Sequence, residues 1–306
     1  MGAVVILGVF VADTAYRATR MPRMGETILG QGFALGPGGK GSNQAVAAAR
    51  LGAEVHFISR LGDDAFAAMA HETWSASGVR PAVTQDRDSY TGAAFIFVDA
   101  ASGDNAIIIS PGAAARIAPS DLDAHAALIG GASVFMTQLE QPLEAAVRGL
   151  EIARAAGVTT ILNPAPARAL PDSVLALCDW VTPNESEASE LTGLPVEGPA
   201  AARAAADLLV ARGAGGVVIT LGAQGALLHA NGVSEIVPAI AAGAVVETTG
   251  AGDAFNGAFA TGLAEGLDPV AAVRLATAVA GISVTRAGTA PSMPERIEVE
   301  ALLART

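Results

Sequence analysis

Short apolar runs alternate with longer alanine-rich segments along most of this chain. The alternation predicts strands joined by crossover helices in a largely parallel sheet. Candidate strands lie at 4–7, 55–59, 134–137, 160–162, 180–182 and 217–220. Helical patterns fit 42–51, 64–77, 142–156, 199–212 and 251–265, with 268–285 and 294–304 closing the chain.

One part breaks the pattern. Residues 90–99 and 105–110 are two β-rich runs joined by Ala100-Ala101-Ser102-Gly103-Asp104, a hairpin signal. Residues 13–35 are also extended and poor in helix signals, so they are expected to pair with the hairpin in a small sheet outside the main layer. Such a sheet, built from about 13–35 and 90–110, could be a lid. Phe95, Phe97, Ile107 and Ile109 are expected to give it one apolar side, to be covered by the domain's own core or by the same surface of a second subunit. No internal repeat, low-complexity linker or charge block divides the chain, so 1–306 reads as a single α/β domain.

Composition narrows the function. A hydrophobic content of 51% suffices for a substantial core. No stretch of about 20 apolar residues lacks charge, which argues against a membrane span. The apolar segment 3–12 has no basic residue before it and reads as the first strand, so a cytoplasmic location is expected. A net charge of −12 argues against a nucleic-acid surface. The single Cys178 allows no internal disulfide and reads as core packing, and the four histidines show no metal-ligand spacing.

Chemistry concentrates in two glycine-rich stretches. In 248–257, Gly250 and Gly252 let the backbone approach a ligand at the start of a helix, whose unpaired N–H groups and dipole favour an anion. Asp253 sits in that first turn. A carboxylate there would repel a phosphate unless it takes the proton of the attacking group. The second stretch, 36–45, carries Lys40, the only lysine in the chain. A compact ammonium suits a close-packed phosphate or hydroxyl site better than a planar guanidinium. This loop is not a P-loop, because Gly41 rather than Ser or Thr follows Lys40 and position 34 is Ala. Gly36, Gly38 and Gly41 do fit the dinucleotide spacing, but no good buried strand precedes them, so an oxidoreductase is a minor alternative.

Taken together, these stretches resemble the ribokinase, or PfkB, family of sugar and nucleoside kinases over nearly the whole chain. The most specific marks are Gly-Gly-Lys-Gly-Ser-Asn at 38–43 and Gly-Ala-Gly-Asp at 250–253. Further matches are Gln138-Leu139-Glu140, the segment 163–168, Thr182-Pro183-Asn184-Glu185 and Thr220-Leu221-Gly222. The resemblance implies a three-layer α/β/α fold with a mostly parallel central sheet and a small β-sheet lid. It also implies transfer of the ATP γ-phosphoryl group to a sugar hydroxyl, first of all the 5-hydroxyl of D-ribose. Asp253 would be the base, with the amides of Gly250, Ala251, Gly252 and Asp253 stabilising the transferring group.

By the same resemblance, Asp13, Gly39, Lys40, Gly41, Asn43 and Glu140 match positions around the sugar. Asn184 and the loop Thr220, Leu221, Gly222, Ala223, Gln224 and Gly225 match nucleotide contacts. Glu187 would act on Mg²⁺ through water. Glu247, Thr249, Ser283, Arg286, Gly288 and Ser292 match a monovalent cation site, so K⁺ activation is implied, although Glu247 stands where the family often carries Asp. A homodimer through the lid is implied as well. Val11 departs from the family, which typically has a sugar-contacting asparagine there. An apolar side chain cannot enforce the presence of a hydroxyl, so 2-deoxyribose or another sugar or nucleoside becomes an alternative substrate. A catalytically silent sugar-binding regulator is the alternative from a different class.

Overall fold

The computed structural model of the chain describes residues 2–306. Its thirteen strands are β1 (Val4–Leu7), β2 (Val11–Ala18), β3 (Gly32–Gly38), β4 (Val55–Leu61), β5 (Arg80–Gln85), β6 (Thr91–Asp99), β7 (Asn105–Gly112), β8 (Val134–Thr137), β9 (Thr159–Leu162), β10 (Trp180–Val181), β11 (Gly216–Thr220), β12 (Ala226–Ala230) and β13 (Val233–Val237). The α-helices are α1 (Lys40–Arg50), α2 (Ala65–Ser77), α3 (Pro119–Ala124), α4 (Ala126–Gly130), α5 (Leu143–Ala155), α6 (Asp172–Leu175), α7 (Glu185–Thr192), α8 (Pro199–Ala211), α9 (Ala251–Ala264), α10 (Pro269–Ser283) and α11 (Arg296–Leu303).

Nine strands form the central sheet in the order β13-β12-β11-β10-β9-β8-β1-β4-β5. It is parallel from β5 to β11, and β12 and β13 add an antiparallel hairpin at one edge. Side chains alternate between faces along a strand, and here both faces are covered. Val4 and Ile6 join the core shared with α1, α2, α9, α10 and α11. Val5 and Leu7 point into the core beneath α3 to α8. A strand buried on both sides has no polar face, which is why the parallel strands read as plain apolar runs.

Three main-sheet strands were not expected. The hairpin β12–β13 turns at Asn231-Gly232, both with positive φ, a pairing suited to a two-residue turn. The strand β5 is an edge, where Pro81 is tolerated. The first glycine-rich helix also starts earlier than its apolar pattern suggests, so Lys40 opens α1 rather than preceding it.

The remaining strands form a separate four-stranded sheet, β3-β2-β6-β7. Its register corrects one expectation. Phe95 stands opposite Ile108 and Phe97 opposite Ala106, whereas Ile107 and Ile109 stand opposite Ile96 and Ala94. Phe95 and Phe97 therefore share a face with Ile108, and Ile107 and Ile109 lie on the other. The reason is the turn: Asp99 bonds to Asp104, leaving an even number of connecting residues and shifting the parity of the pairing. The base of this sheet packs on the domain, with Val11 and Ala94 in the same core cluster as Val9 and Leu139.

Candidate active site

Two helices begin at the C-terminal end of the central sheet, each introduced by a glycine with positive φ. Gly39 (φ 91°) precedes α1 and Gly250 (φ 81°) precedes α9. A side chain at Gly39 would also meet the Val9 carbonyl oxygen at 2.4 Å. Neither first turn is capped by its own N-cap side chain. In α1 the Lys40 and Ser42 N–H groups are taken by Glu140 and the Val9 carbonyl, whereas in α9 those of Gly252 and Asp253 are left for an anion. The helices pack closely farther along, where a Cβ on Gly257 would lie 2.4 Å from the Gln44 carbonyl oxygen.

Asp253 is buried between them. Asn43 Nδ2 donates to its Oδ2 at 3.0 Å and Gln44 Nε2 to its Oδ1 at 3.1 Å. Burial pushes its pKa up, opposed by the Lys40 ammonium and by these two donors. Lys40 is itself subject to burial, which disfavours its charge. Asp253, Glu140 and Glu187 outweigh that effect, and its pKa lies above the ordinary value. The Lys40 backbone N–H donates to Glu140 Oε2 at 2.8 Å.

Two further carboxyls share this field. Burial raises Asp13 to about 6, and Asp253 adds to the shift. Burial raises Glu140 to about 7 against the pull of Lys40. Asp13 lies directly over Gly38, where a Cβ would come within 2.3 Å of its Oδ2. An acid–base group, an ammonium and two carboxyls titrating near neutrality thus converge on one place, a pattern suited to recognising hydroxyls.

The cavity beside them measures about 170 Å³ and is lined by Lys40, Asn163, Ala165, Thr182, Asn184, Glu187, Thr220, Gly250, Gly252, Asp253 and Asn256. Nothing stands within 4 Å of where a Gly252 Cβ would lie, so the turn is open to a ligand. Asn184 caps α7 and accepts from Glu187 N, while Glu187 Oε2 accepts from Asn184 N at 2.8 Å. The second Glu187 oxygen has no such bond, and burial raises this carboxyl's pKa.

Some expected residues lie away from the cavity. Gly222, Ala223 and Gln224 form an exposed 3-10 turn beyond Thr220, and Leu221 and Gly225 are buried beneath it. Val11 is buried in the apolar cluster, with its Cγ1 2.9 Å from where a Gly92 Cβ would be. Around the expected cation site, Glu247 Oε2 accepts from Gly288 N at 2.8 Å. Ser283 and Ser292 spend their hydroxyls on the carbonyls of Ala280 and Thr289. Arg286 pairs with Glu298, and Thr249 is exposed.

Gln44, Gln138, Asn163, Thr182 and Asn256 were given no role by the sequence reasoning, although each lies within or beside a recognised motif. They are buried and hydrogen-bonded to one another around Asp253. Their polarity within apolar surroundings was the available signal.

The sequence matches the description "pfkB family carbohydrate kinase" over residues 1–296. The chain belongs to this family. Among relatives of this carbohydrate kinase, a ribokinase from Haemophilus influenzae is 39% identical over 294 residues, covering 96% of this chain and 95% of that one. A deoxyribokinase from Salmonella typhi is 38% identical over 293 residues, covering 95% of each. The solved structure of Arabidopsis thaliana ribokinase, complexed with ribose and ATP, superposes with a TM-score of 0.93. It is 33% identical and covers 99% of this kinase and 98% of the Arabidopsis chain. The three-layer architecture and the separate small sheet are those of ribokinases.

Proposed function

We propose that this kinase transfers the γ-phosphoryl group of ATP to the 5-hydroxyl of D-ribose, giving D-ribose 5-phosphate and ADP. The observation that carries the reading is Asp253, a buried carboxylate held by two side-chain donors in the uncapped first turn of α9 and facing Lys40. The hydroxyl proton passes to Asp253 as its oxygen forms the new bond to phosphorus and the bond to ADP breaks. Backbone N–H groups at 250–253 meet the charge on the transferring group. Asp13, Glu140 and Asn43 accept from or donate to the sugar hydroxyls, and burial makes a missing hydroxyl costly. The ribose- and ATP-bound relative supports both substrates.

The nucleotide lies on the Asn184 and Thr220 side of the cavity, and the loop 220–225 borders it. Mg²⁺ comes with the nucleotide phosphates. Glu187 fits a water-mediated role because one of its oxygens stays uncommitted while the other is fixed to the helix start. The Glu247–Gly288 contact ties together the two segments expected around K⁺. The small sheet acts as a lid, carrying Asp13 toward the sugar. Unchanged amide exchange at 13–35 and 90–110 on adding sugar would argue against closure.

Val11 favours a second reading. It lies two residues from Asp13 on β2, offers no hydrogen bond, and a deoxyribokinase is among the relatives. A site with an apolar wall here tolerates 2-deoxyribose. ADP release from Mg-ATP, with potassium, against D-ribose, 2-deoxy-D-ribose, fructose, inositol and adenosine tests both readings. Preference for ribose supports the first and preference for deoxyribose the second. No sugar-dependent release from any of them would leave a silent sugar-binding protein.

A further inference from the structure

Asp253 and the anion turn are joined by a second route besides the chain itself. Gln44 Nε2, which donates to Asp253 Oδ1, also donates to Asn163 Oδ1 at 3.0 Å. Asn163 Nδ2 donates to the Thr182 carbonyl at 2.9 Å, and the Thr182 hydroxyl donates to Asn256 Oδ1. Asn256 Nδ2 closes the path on the Gly252 carbonyl at 2.8 Å. Behind Gln44, Gln138 Nε2 donates to Gln44 Oε1 at 2.5 Å. The four amide side chains and Thr182 are no more than 5% exposed, and Asp253 is 8% exposed.

The polarity of this circuit follows from one group. An ionised carboxylate only accepts, so Gln44 must turn its NH₂ toward Asp253 and its carbonyl toward Gln138. Each of the two Gln44 amide hydrogens then has an acceptor, and Asn163 must turn its own NH₂ to the Thr182 carbonyl. In turn, the Thr182 hydroxyl donates to Asn256, whose NH₂ is committed to Gly252. Gln138 Oε1 is already buried without a partner among the described residues, and rotating any member would leave a further buried polar atom unpaired, which costs about 1–3 kcal/mol.

From this geometry, and resting on the kinase reading, we infer that Gln44, Asn163, Thr182 and Asn256 are positioning residues. Together they hold the base and the anion turn in one register, with Gln138 orienting Gln44. Gln44 has a further effect: its bond favours the charged form of Asp253 and opposes the upward push of burial on its pKa. The circuit also explains why separate motifs occur together, since those at 38–43, 138–140, 163–168, 182–185 and 250–253 each contribute or adjoin a member.

The test is the pH dependence of kcat for sugar-dependent ADP formation, from pH 5 to 9, in the full chain and in Gln44→Met. Asp13, Lys40, Glu140 and Glu187, which share the field of Asp253, are the same in both, so the shift between the two profiles reports the change at Asp253. The variant keeps the side-chain volume but removes the donor. The acidic limb is expected to move up by about one pH unit, with the sugar KM changed less than about threefold. Gln138→Met, which does not touch Asp253, should move the limb the same way by less, and it tests the circuit if Gln44→Met does not fold. Thr182→Val should lower kcat about tenfold and leave the limb in place. A folded Gln44→Met or Gln138→Met variant whose limb coincides with that of the unaltered enzyme would overturn the circuit alone. Absence of sugar-dependent ADP formation in the unaltered chain would instead overturn the kinase reading.

Discussion

Asn43 Nδ2 donates to Asp253 Oδ2 at 3.0 Å, joining residues 210 positions apart across the facing starts of α1 and α9. The pair combines a group expected at the sugar with the base that would act on it. Changing the carboxylate to an amide keeps its shape but removes the proton acceptor. Asp253→Asn is therefore expected to lower kcat by about 10²- to 10⁴-fold while ribose binding, measured by calorimetry, persists. Turnover within tenfold of normal would remove Asp253 from the role of base.

The same juxtaposition depends on how closely α1 and α9 approach. Gly257→Ala would place a methyl 2.4 Å from the Gln44 carbonyl oxygen and 2.8 Å from Ala47 Cβ, both in fully buried residues. Alanine's better helix propensity recovers about 1 kcal/mol at most. Forcing the helices apart costs about 1–3 kcal/mol or more. The net expectation is a thermal midpoint lower by several degrees and a kcat reduced together with it, because Asn43 and Gln44 move away from Asp253. An unchanged midpoint in calorimetry would show that the helices can part freely.

Asp13 is held at about 6 by burial and by Asp253, against an ordinary value of 3.8. The folded state thus binds this proton more tightly than the unfolded chain does. Its contribution to stability is present at low pH and is lost as the pH rises from about 4 through 6. Asp13→Asn removes that loss. The variant should gain stability with rising pH, levelling above pH 6 at about 1–2 kcal/mol after allowing for the carboxyl's residual exposure. Its affinity for sugar should fall. Denaturant unfolding at pH 4 and pH 8 measures the difference, and equal effects at the two values would contradict it.

The parallel core was legible because strands such as β1 and β8, covered on both faces, must be apolar throughout. The site was legible where chemistry demands rare residues, as at Lys40, Asp253 and the glycines that start two helices. The register of β6 against β7 was not, because it depends on where a loop closes rather than on the side chains of either strand. The buried amides around Asp253 were hidden for a related reason. Gln44, Asn163 and Asn256 look like ordinary polar residues until topology brings β9, β10, α1 and α9 to one point.

Glu247 fixes the backbone of Gly288 through a single carboxylate oxygen, and the other makes no hydrogen bond among the described residues. Activation by K⁺ over Na⁺ is expected to be several-fold. In Glu247→Gln the amide oxygen can still accept from Gly288 but the charge is gone, so the potassium dependence should weaken at a nearly unchanged thermal midpoint. Equal rates in the two salts would reject the cation site.

The small sheet leaves much of one apolar face exposed, although Phe97 on that face is buried. Tyr16, Phe33, Leu35 and Ile108 are 44%, 59%, 47% and 63% exposed and share that face with Phe95. Tyr16 packs between Phe33 and Phe95 with tilted rings at centroid distances of 5.1 and 5.6 Å. A second copy presenting the same face would bury it through a two-fold axis, with an aromatic centre that dominates the contact. Light scattering is expected to give twice the 30.4 kDa of the single chain. Phe33→Asp sets a charge at the centre of such a contact and should yield a monomer with an intact thermal core, while β2 keeps its pairing with β3. A unaltered chain that runs as a monomer at micromolar concentration would leave this face for another partner and separate closure of the small sheet from assembly.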